Sequence, residues 1–156
     1  MHRILFVCLG NICRSPTAQG IFEYKCRLAE VNVDLDSAGT GDWHIGRAPD
    51  PRSQAFARRW GVDLSVQRAR QVTVADFQRF DRIYAMDRAN LADLQVLAPA
   101  QSRAQVDLVM SLAPDYGLVE VPDPYYGGDR GFEQVIDMLS VAADRLIEEL
   151  QALRRA

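Results

Sequence analysis

Cys8-Leu9-Gly10-Asn11-Ile12-Cys13-Arg14-Ser15-Pro16 is the stretch on which both the fold and the chemistry turn. Ahead of it, Ile4-Leu5-Phe6-Val7 is an apolar run of strand length without alternation, the pattern of a strand buried on both faces. Behind it, Thr17-Ala18-Gln19-Gly20-Ile21-Phe22 reads as the opening of a helix. Ser15 is a favoured N-cap type and Pro16 suits a first helical position, so the helix is predicted to start there. A strand, a tight turn and a helix N-terminus aim backbone N–H groups and the positive end of a helix dipole at one place. That suits a phosphate-sized anion. Gly10 and Asn11 are residue types that tolerate φ > 0, as a loop wrapped around an oxyanion demands.

Into that cradle the sequence places the Cys8 thiol and the Arg14 guanidinium. A helix N-terminus and a neighbouring cation favour the thiolate, which is the nucleophilic form. The planar guanidinium can hold two phosphoryl oxygens at once and follow them into the transition state. Together they point to phosphoryl transfer through a phosphocysteine. A bare Cys-x5-Arg carries little weight, because a buried thiol beside a surface arginine gives the same letters. The strand before, the glycine inside, Ser-Pro after and the helix behind favour the catalytic reading.

The remaining composition narrows the setting. The 156 residues, 48% hydrophobic and 25% charged, suffice for one domain over 1–156 with a substantial core. A net charge of −3 argues against a general nucleic-acid binder. No apolar run reaches the length of a membrane span, and the N-terminal one is broken by Gly10, Asn11 and Arg14, unlike a signal peptide. Cys8, Cys13 and Cys26 are an odd set for a secreted disulfide framework, and with His2 and His44 they make no zinc pattern. A cytoplasmic protein without a metal or other cofactor is expected.

Taken in order, the first helix is expected to reach about Val31, followed by a strand over Val33–Thr40 closing at Gly39. The turn-rich stretch Gly41–Pro51 carries Trp43-His44, which either folds over a neighbouring helix or walls a pocket. Arg52–Trp60 reads as a short helix stopped by Gly61. Arg68-Ala69-Arg70 reads as a solvated basic face, and Thr73-Val74-Ala75-Asp76 has capping-box spacing. Strands are expected at Arg82–Met86 and Val106–Met110, with a helix between them capped by Asp87, running through Leu97 and stopped by Pro99. From Phe132 the apolar residues follow helical spacing to Leu150. Strands alternating with helices predict an α/β three-layer sandwich. A central four-stranded parallel sheet is flanked by helices, with the phosphate-binding loop after the first strand.

A second constellation, Val121-Pro122-Asp123-Pro124-Tyr125-Tyr126-Gly127-Gly128, precedes the last helix. Its prolines and glycines mark an ordered loop, and Asp123 alone there is equally well a turn residue. Hydrolysis of an ester through a phosphocysteine needs a proton for the leaving oxygen and then a base for water, and one carboxyl can serve in turn. Asp123 is the candidate, and Tyr125 and Tyr126 suit the two sides of an aromatic ring.

These two motifs resemble the signature loop and the general-acid loop of the low-molecular-weight protein tyrosine phosphatases, in a bacterial-type member. Between them, Asp36-Ser37-Ala38-Gly39-Thr40, Asp42-Trp43, Gly46–Arg52, Ala69-Arg70-Gln71, Met86-Asp87 and Asn90-Leu91 match that family in order. The resemblance implies Cys8 as nucleophile, Arg14 as phosphate clamp and Asp123 as acid and then base. It implies that Ser15 hydrogen-bonds the thiolate, that Ser37 and Asp87 support the loop, and that Asn11 holds a left-handed conformation. Substrate contacts are implied for the loop residues Leu9, Gly10, Asn11, Ile12, Cys13 and Ser15 and for Trp43, His44, Tyr125 and Tyr126. Cys13 is implied as a reversible disulfide partner of Cys8. The implied substrate is a phosphotyrosine-containing protein, an autophosphorylated tyrosine kinase being one candidate, with inorganic phosphate as product. No nucleic acid, no membrane span and a monomer or weak dimer complete the expectation. Gln67 replaces the histidine of animal relatives, so that histidine's interactions are expected to be missing, and the segment Ala100–Gln105 is shorter. A thiol-dependent arsenate reductase on the same fold is the main alternative, but it needs a cysteine relay that nothing after Cys26 supplies. A non-catalytic phosphotyrosine-binding module is the other, and a phosphatase assay separates it.

Overall fold

A computed structural model describes residues 1–124 and 128–156. Among them, β1 (His2–Cys8), β2 (Val33–Gly39), β3 (Arg82–Ala85) and β4 (Gln105–Leu108) form one parallel sheet in the order β2-β1-β3-β4. Around it lie α1 (Arg14–Leu28), α2 (Pro51–Arg59), α3 (Asp76–Arg79), α4 (Arg88–Leu97) and α5 (Gly128–Arg155).

The layering follows from side-chain alternation along β1. Ile4, Phe6 and Cys8 enter the core shared with Ala18 and Phe22 of α1 and Val135, Leu139 and Leu146 of α5. Leu5 and Val7 enter the opposite core with Phe77, Phe80 and Leu94. All five strand residues are buried, so neither face of β1 meets water and its sequence has no polar alternation. A third cluster, with Ile21, Phe56, Leu64 and Phe132, seats α2 against α1 and α5. The chain leaves β1 for β2 on one side and crosses back to β3 on the other. The crevice at the carboxyl ends of β1 and β3 is therefore the topological switch point, where sheets of this kind bind ligands.

Several boundaries differ from the sequence reading. Helix α1 starts at Arg14 with Cys13 as its N-cap and no side-chain cap, so Ser15 lies inside the first turn. It stops at Leu28 rather than near Val31, where Glu30 takes φ 56° and Val31 N–H bonds back to the Cys26 carbonyl. That is a Schellman stop without its usual glycine, so the sequence carries no mark of it. Strand β4 gives way at Val109 to a 3-10 turn through Leu112, which buries Val109 and Met110 under α5. Helix α5 begins at Gly128, ahead of its apolar stripe.

The largest correction concerns Arg70, which is not part of a solvated face. Its guanidinium donates to Asp36 Oδ2 at 3.1 Å and to both oxygens of Asp76 at 3.0 and 3.1 Å. Asp76 is fully buried and also accepts the Thr73 N–H at 2.8 Å, the returning half of the capping box. Burial works to raise the Asp76 pKa, but the bonds from Arg70 and Thr73 outweigh it and hold the carboxyl below its ordinary value. A carboxylate shifted this way stabilises the fold above the unfolded value of about 3.9, and loses that contribution as pH falls through the lowered folded value.

Asp76→Asn should accordingly cost roughly 3 kcal/mol at pH 7, since it removes the buried carboxylate from the pairing and leaves Arg70 the partly exposed Asp36. In urea titrations the gap to the parent should narrow progressively below about pH 4; a gap constant from pH 7 to pH 2 would contradict the pairing. Gly20→Ala should also destabilise, although alanine is the better helix former by about 1 kcal/mol. The added Cβ would lie 2.4 Å from Leu64 Cδ2 and 2.8 Å from Val62 Cγ1. Both neighbours are buried, and overpacking of that kind costs about 1–3 kcal/mol. A raised Tm would show that the α1 face against Val62 and Leu64 has room to spare.

Candidate active site

The site is assembled where β1 ends and α1 begins. Asn11 takes φ 57°, which turns the loop back so that its N–H points at Cys8 Sγ at 3.3 Å. Gly10 does not adopt a positive φ, contrary to the sequence expectation. It is needed for space instead, because a Cβ there would meet His44 Cδ2 at 2.9 Å. Ser15 Oγ lies 3.0 Å from Cys8 Sγ, so the hydroxyl freed from capping faces the thiol. The Asn11 carboxamide ties the turn together. Nδ2 donates to Ser15 Oγ at 2.8 Å and Ser37 Oγ at 2.9 Å, and Oδ1 accepts the Arg70 N–H at 3.0 Å.

Arg14 is 4% exposed and its Nη1 donates to Asp87 Oδ2 at 2.6 Å and to the Val121 carbonyl at 3.1 Å. Burial opposes its charge, yet Cys8 and Asp87 beside it more than offset that and raise its proton affinity. Asp87 lies between β3 and α4, where its other oxygen caps α4 by accepting the Asn90 N–H at 2.8 Å. One carboxylate thus fixes a helix and a guanidinium together. Val121 N–H bonds to the Met86 carbonyl, so the segment leading to Asp123 is pinned on both sides of that residue.

A pocket of about 240 Å³ opens over Cys8, lined by Leu9, Gly10, Ile12, Cys13, Arg14, Trp43, His44 and Asp123. Trp43 is 66% exposed and stands at the rim rather than folding into a core. The two residues expected to complete the wall, Tyr125 and Tyr126, lie outside the described residues. Asn11, Ser15, Ser37 and Asp87 sit behind the pocket, holding its floor. Cys13 is a buried thiol, pushed up to about 12, mainly by burial and further by Asp50, Cys8 and Asp123, against the lowering effect of Ser53. It is therefore protonated near neutral pH.

Sequence reasoning missed three contributors. Arg70 belongs to the bracing of Asn11, and the capping box at Thr73–Asp76 was the one signal that its partner was ordered. Gln67 does not leave a gap: its Nε2 donates to the Pro16 carbonyl at 3.0 Å and its Oε1 accepts from Ser37 Oγ at 3.4 Å. The Val121 carbonyl is a backbone group and has no sequence signature.

The comparisons with known proteins agree with this geometry. A family model described as "Low molecular weight phosphotyrosine protein phosphatase" matches residues 3–156. The low molecular weight protein-tyrosine-phosphatase YfkJ of Bacillus subtilis is 39% identical over 153 residues, covering 97% of each chain. A protein tyrosine phosphatase of Entamoeba histolytica, crystallised with Hepes in its active site, superposes with a TM-score of 0.93. It shares 36% identity and covers 99% of both chains. The structure of the Drosophila arginine phosphatase superposes with a TM-score of 0.89 at 28% identity, covering 94% of this chain and 96% of that one. The chain belongs to the low molecular weight phosphotyrosine protein phosphatase family.

Asp87→Asn separates the two duties of that residue, because asparagine caps a helix about as well as aspartate but carries no charge. The α4 cap should survive, but unfolding free energy should fall by roughly 3 kcal/mol, because Arg14 is left buried beside a neutral partner. Affinity for inorganic phosphate, measured by calorimetry, should fall roughly tenfold, the loss of one charge-assisted bond that orients Arg14. Unchanged phosphate affinity would remove Asp87 from the site.

Proposed function

We propose that the protein is a protein-tyrosine phosphatase that works through a phosphocysteine on Cys8. The observation that carries the reading is the convergence of Cys8, Arg14 and Asp123 on one pocket whose rim is the exposed Trp43. Among the described residues the two hydrogen bonds from Arg14 both use Nη1, so the rest of its planar fork is available there to meet phosphoryl oxygens. Cys8 sulfur attacks phosphorus along the axis opposite the ester oxygen. The S–P bond forms, the P–O bond breaks, and its electron pair leaves on the phenolic oxygen, which takes a proton from the Asp123 carboxyl. Asp123, now a carboxylate, accepts a proton from water as that water attacks phosphorus. The S–P pair returns to Cys8, and inorganic phosphate departs. Ser15 Oγ and the Asn11 N–H stabilise the sulfur anion in both steps, and Arg14 follows the phosphoryl charge.

Leu9, Ile12, Trp43 and His44 form the walls in this reading, and the family resemblance adds Tyr125 and Tyr126 as substrate contacts. A deep floor reached between such walls suits a long aryl ester better than a phosphoserine. Cys13 lines the same pocket, which supports reading it as the thiol that captures an oxidised Cys8 as a disulfide. We assign a cytoplasmic setting on the odd number of cysteines, which does not suit a secreted disulfide framework. Among the described residues no helix is long and apolar enough to cross a membrane.

The test is kcat/KM on one peptide carrying phosphotyrosine, phosphoserine or phosphoarginine, with EDTA present. Phosphotyrosine should lead by roughly a hundredfold or more, Cys8→Ser should be inactive, and Arg14→Lys should lose most of the rate while keeping the charge. Equal values for phosphotyrosine and phosphoserine would overturn the selectivity, a lead for phosphoarginine would reassign the substrate, and loss of all activity on chelation would overturn the mechanism. Under mild peroxide, peptide mapping should find a Cys8–Cys13 link. Cys13→Ser should recover less fully on adding thiol; equal recovery would leave Cys13 a packing residue only.

A further inference from the structure

Hydrogen bonds at a thiolate have a direction, and the structure contains the groups that set it. Ser15 Oγ carries one hydrogen, so it donates to Cys8 Sγ only if no competing acceptor takes that hydrogen. It accepts from Asn11 Nδ2 at 2.8 Å, which leaves its hydrogen for the sulfur at 3.0 Å, ahead of the Ala38 carbonyl at 3.4 Å. A carboxamide turned the other way would present Oδ1 to Ser15 and compete with the sulfur for that hydrogen. The orientation of the Asn11 amide therefore decides whether the thiolate is stabilised or deprived.

Two backbone groups of fixed polarity settle that orientation. The Arg70 N–H can only donate, and it meets Asn11 Oδ1 at 3.0 Å. The Pro16 carbonyl can only accept, and it takes Gln67 Nε2 at 3.0 Å. That turns Gln67 Oε1 toward Ser37, which donates to it and so accepts from Asn11 Nδ2. Both ends of the chain agree. What holds the Arg70 N–H in place is its own side chain, clamped by Asp36 and by the buried Asp76, together with the bond from Gly39 N–H to the Arg70 carbonyl at 2.8 Å.

We propose that Arg70, anchored on Asp36 and Asp76, is a positioning residue that fixes the polarity of the hydrogen-bond chain ending on Cys8. It touches no substrate. Its cation holds a main-chain donor against Asn11, and through Ser15 that contact reaches the sulfur. This inference rests on the phosphocysteine reading for its effect on turnover, but its structural half stands without that reading.

The experiment compares the parent, Arg70→Ala, Arg70→Lys and Leu146→Ala, the last being a buried substitution of similar stability cost in the core under α5. Two readouts are taken on folded protein. One is the exchange with D2O of the Asn11 carboxamide hydrogens, assigned by NMR; the other is kcat and KM for p-nitrophenyl phosphate. In the parent both carboxamide hydrogens should be protected. Arg70→Ala should lose that protection and drop kcat roughly tenfold with KM within about twofold, the size of one hydrogen bond to a charged group. Arg70→Lys should recover part of both, while Leu146→Ala should keep the protection and the parent kcat. Should Arg70→Ala not fold, Asp76→Asn takes its place under the same criteria. Retained protection with unchanged kcat in these variants overturns the proposal, as does an equal loss of kcat in Leu146→Ala. A parent that does not hydrolyse the ester overturns the proposed function instead, and the exchange readout still decides the positioning role.

Discussion

A buried guanidinium opposite a buried thiol is the constraint around which this molecule is arranged. Arg14 is almost fully enclosed, and a charge in that setting needs a partner and directed acceptors. Asp87 supplies the charge and Val121 the carbonyl, and both come from parts of the chain that only the parallel sheet brings beside β1. The order β2-β1-β3-β4 is what allows this. With β1 interior, its carboxyl end is flanked by β2 on one side and β3 on the other. Ser37 on β2 and Asp87 after β3 thus reach the same loop from opposite directions.

The thiol is served by a similar economy of parts. The loop that presents Cys8 is a single turn with one left-handed residue, and that residue's carboxamide is spent on neighbours rather than on solvent. Each hydroxyl in the network both accepts and donates, so the geometry holds only while the whole set is satisfied. Such a floor is stiff, as a site that stabilises developing charge must be. The aromatic rim above it is exposed and belongs to a different kind of surface, suited to receiving a substrate ring.

Much of this was legible in the sequence because the local signals agreed. An unbroken apolar run, a Gly-Asn turn and a helix start gave the first strand, the loop and α1, and Asp87 read as a cap where it does cap. The misreadings have physical causes. Ser15 has the chemistry of an N-cap, but a tertiary demand from Cys8 and Asn11 claimed its hydroxyl. Gly10 was assigned to backbone freedom when the constraint was the His44 ring from a distant loop. Arg70 looked like surface because its partners, Asp36 and Asp76, are respectively thirty-four residues before it and six after it. Long-range bonds between polar side chains leave no period and no spacing to read.

The direct measurement is to trap the intermediate. Enzyme mixed with an aryl ester labelled with 32P at phosphorus is quenched in acid within one turnover, digested and mapped. The account places the label on the peptide bearing Cys8 through an S–P bond, absent from Cys8→Ser; with a nitrophenyl ester, whose leaving group departs without a proton, it accumulates further in Asp123→Asn, where water lacks its base. Label on another side chain, or turnover with no labelled peptide at any quench time, would contradict it.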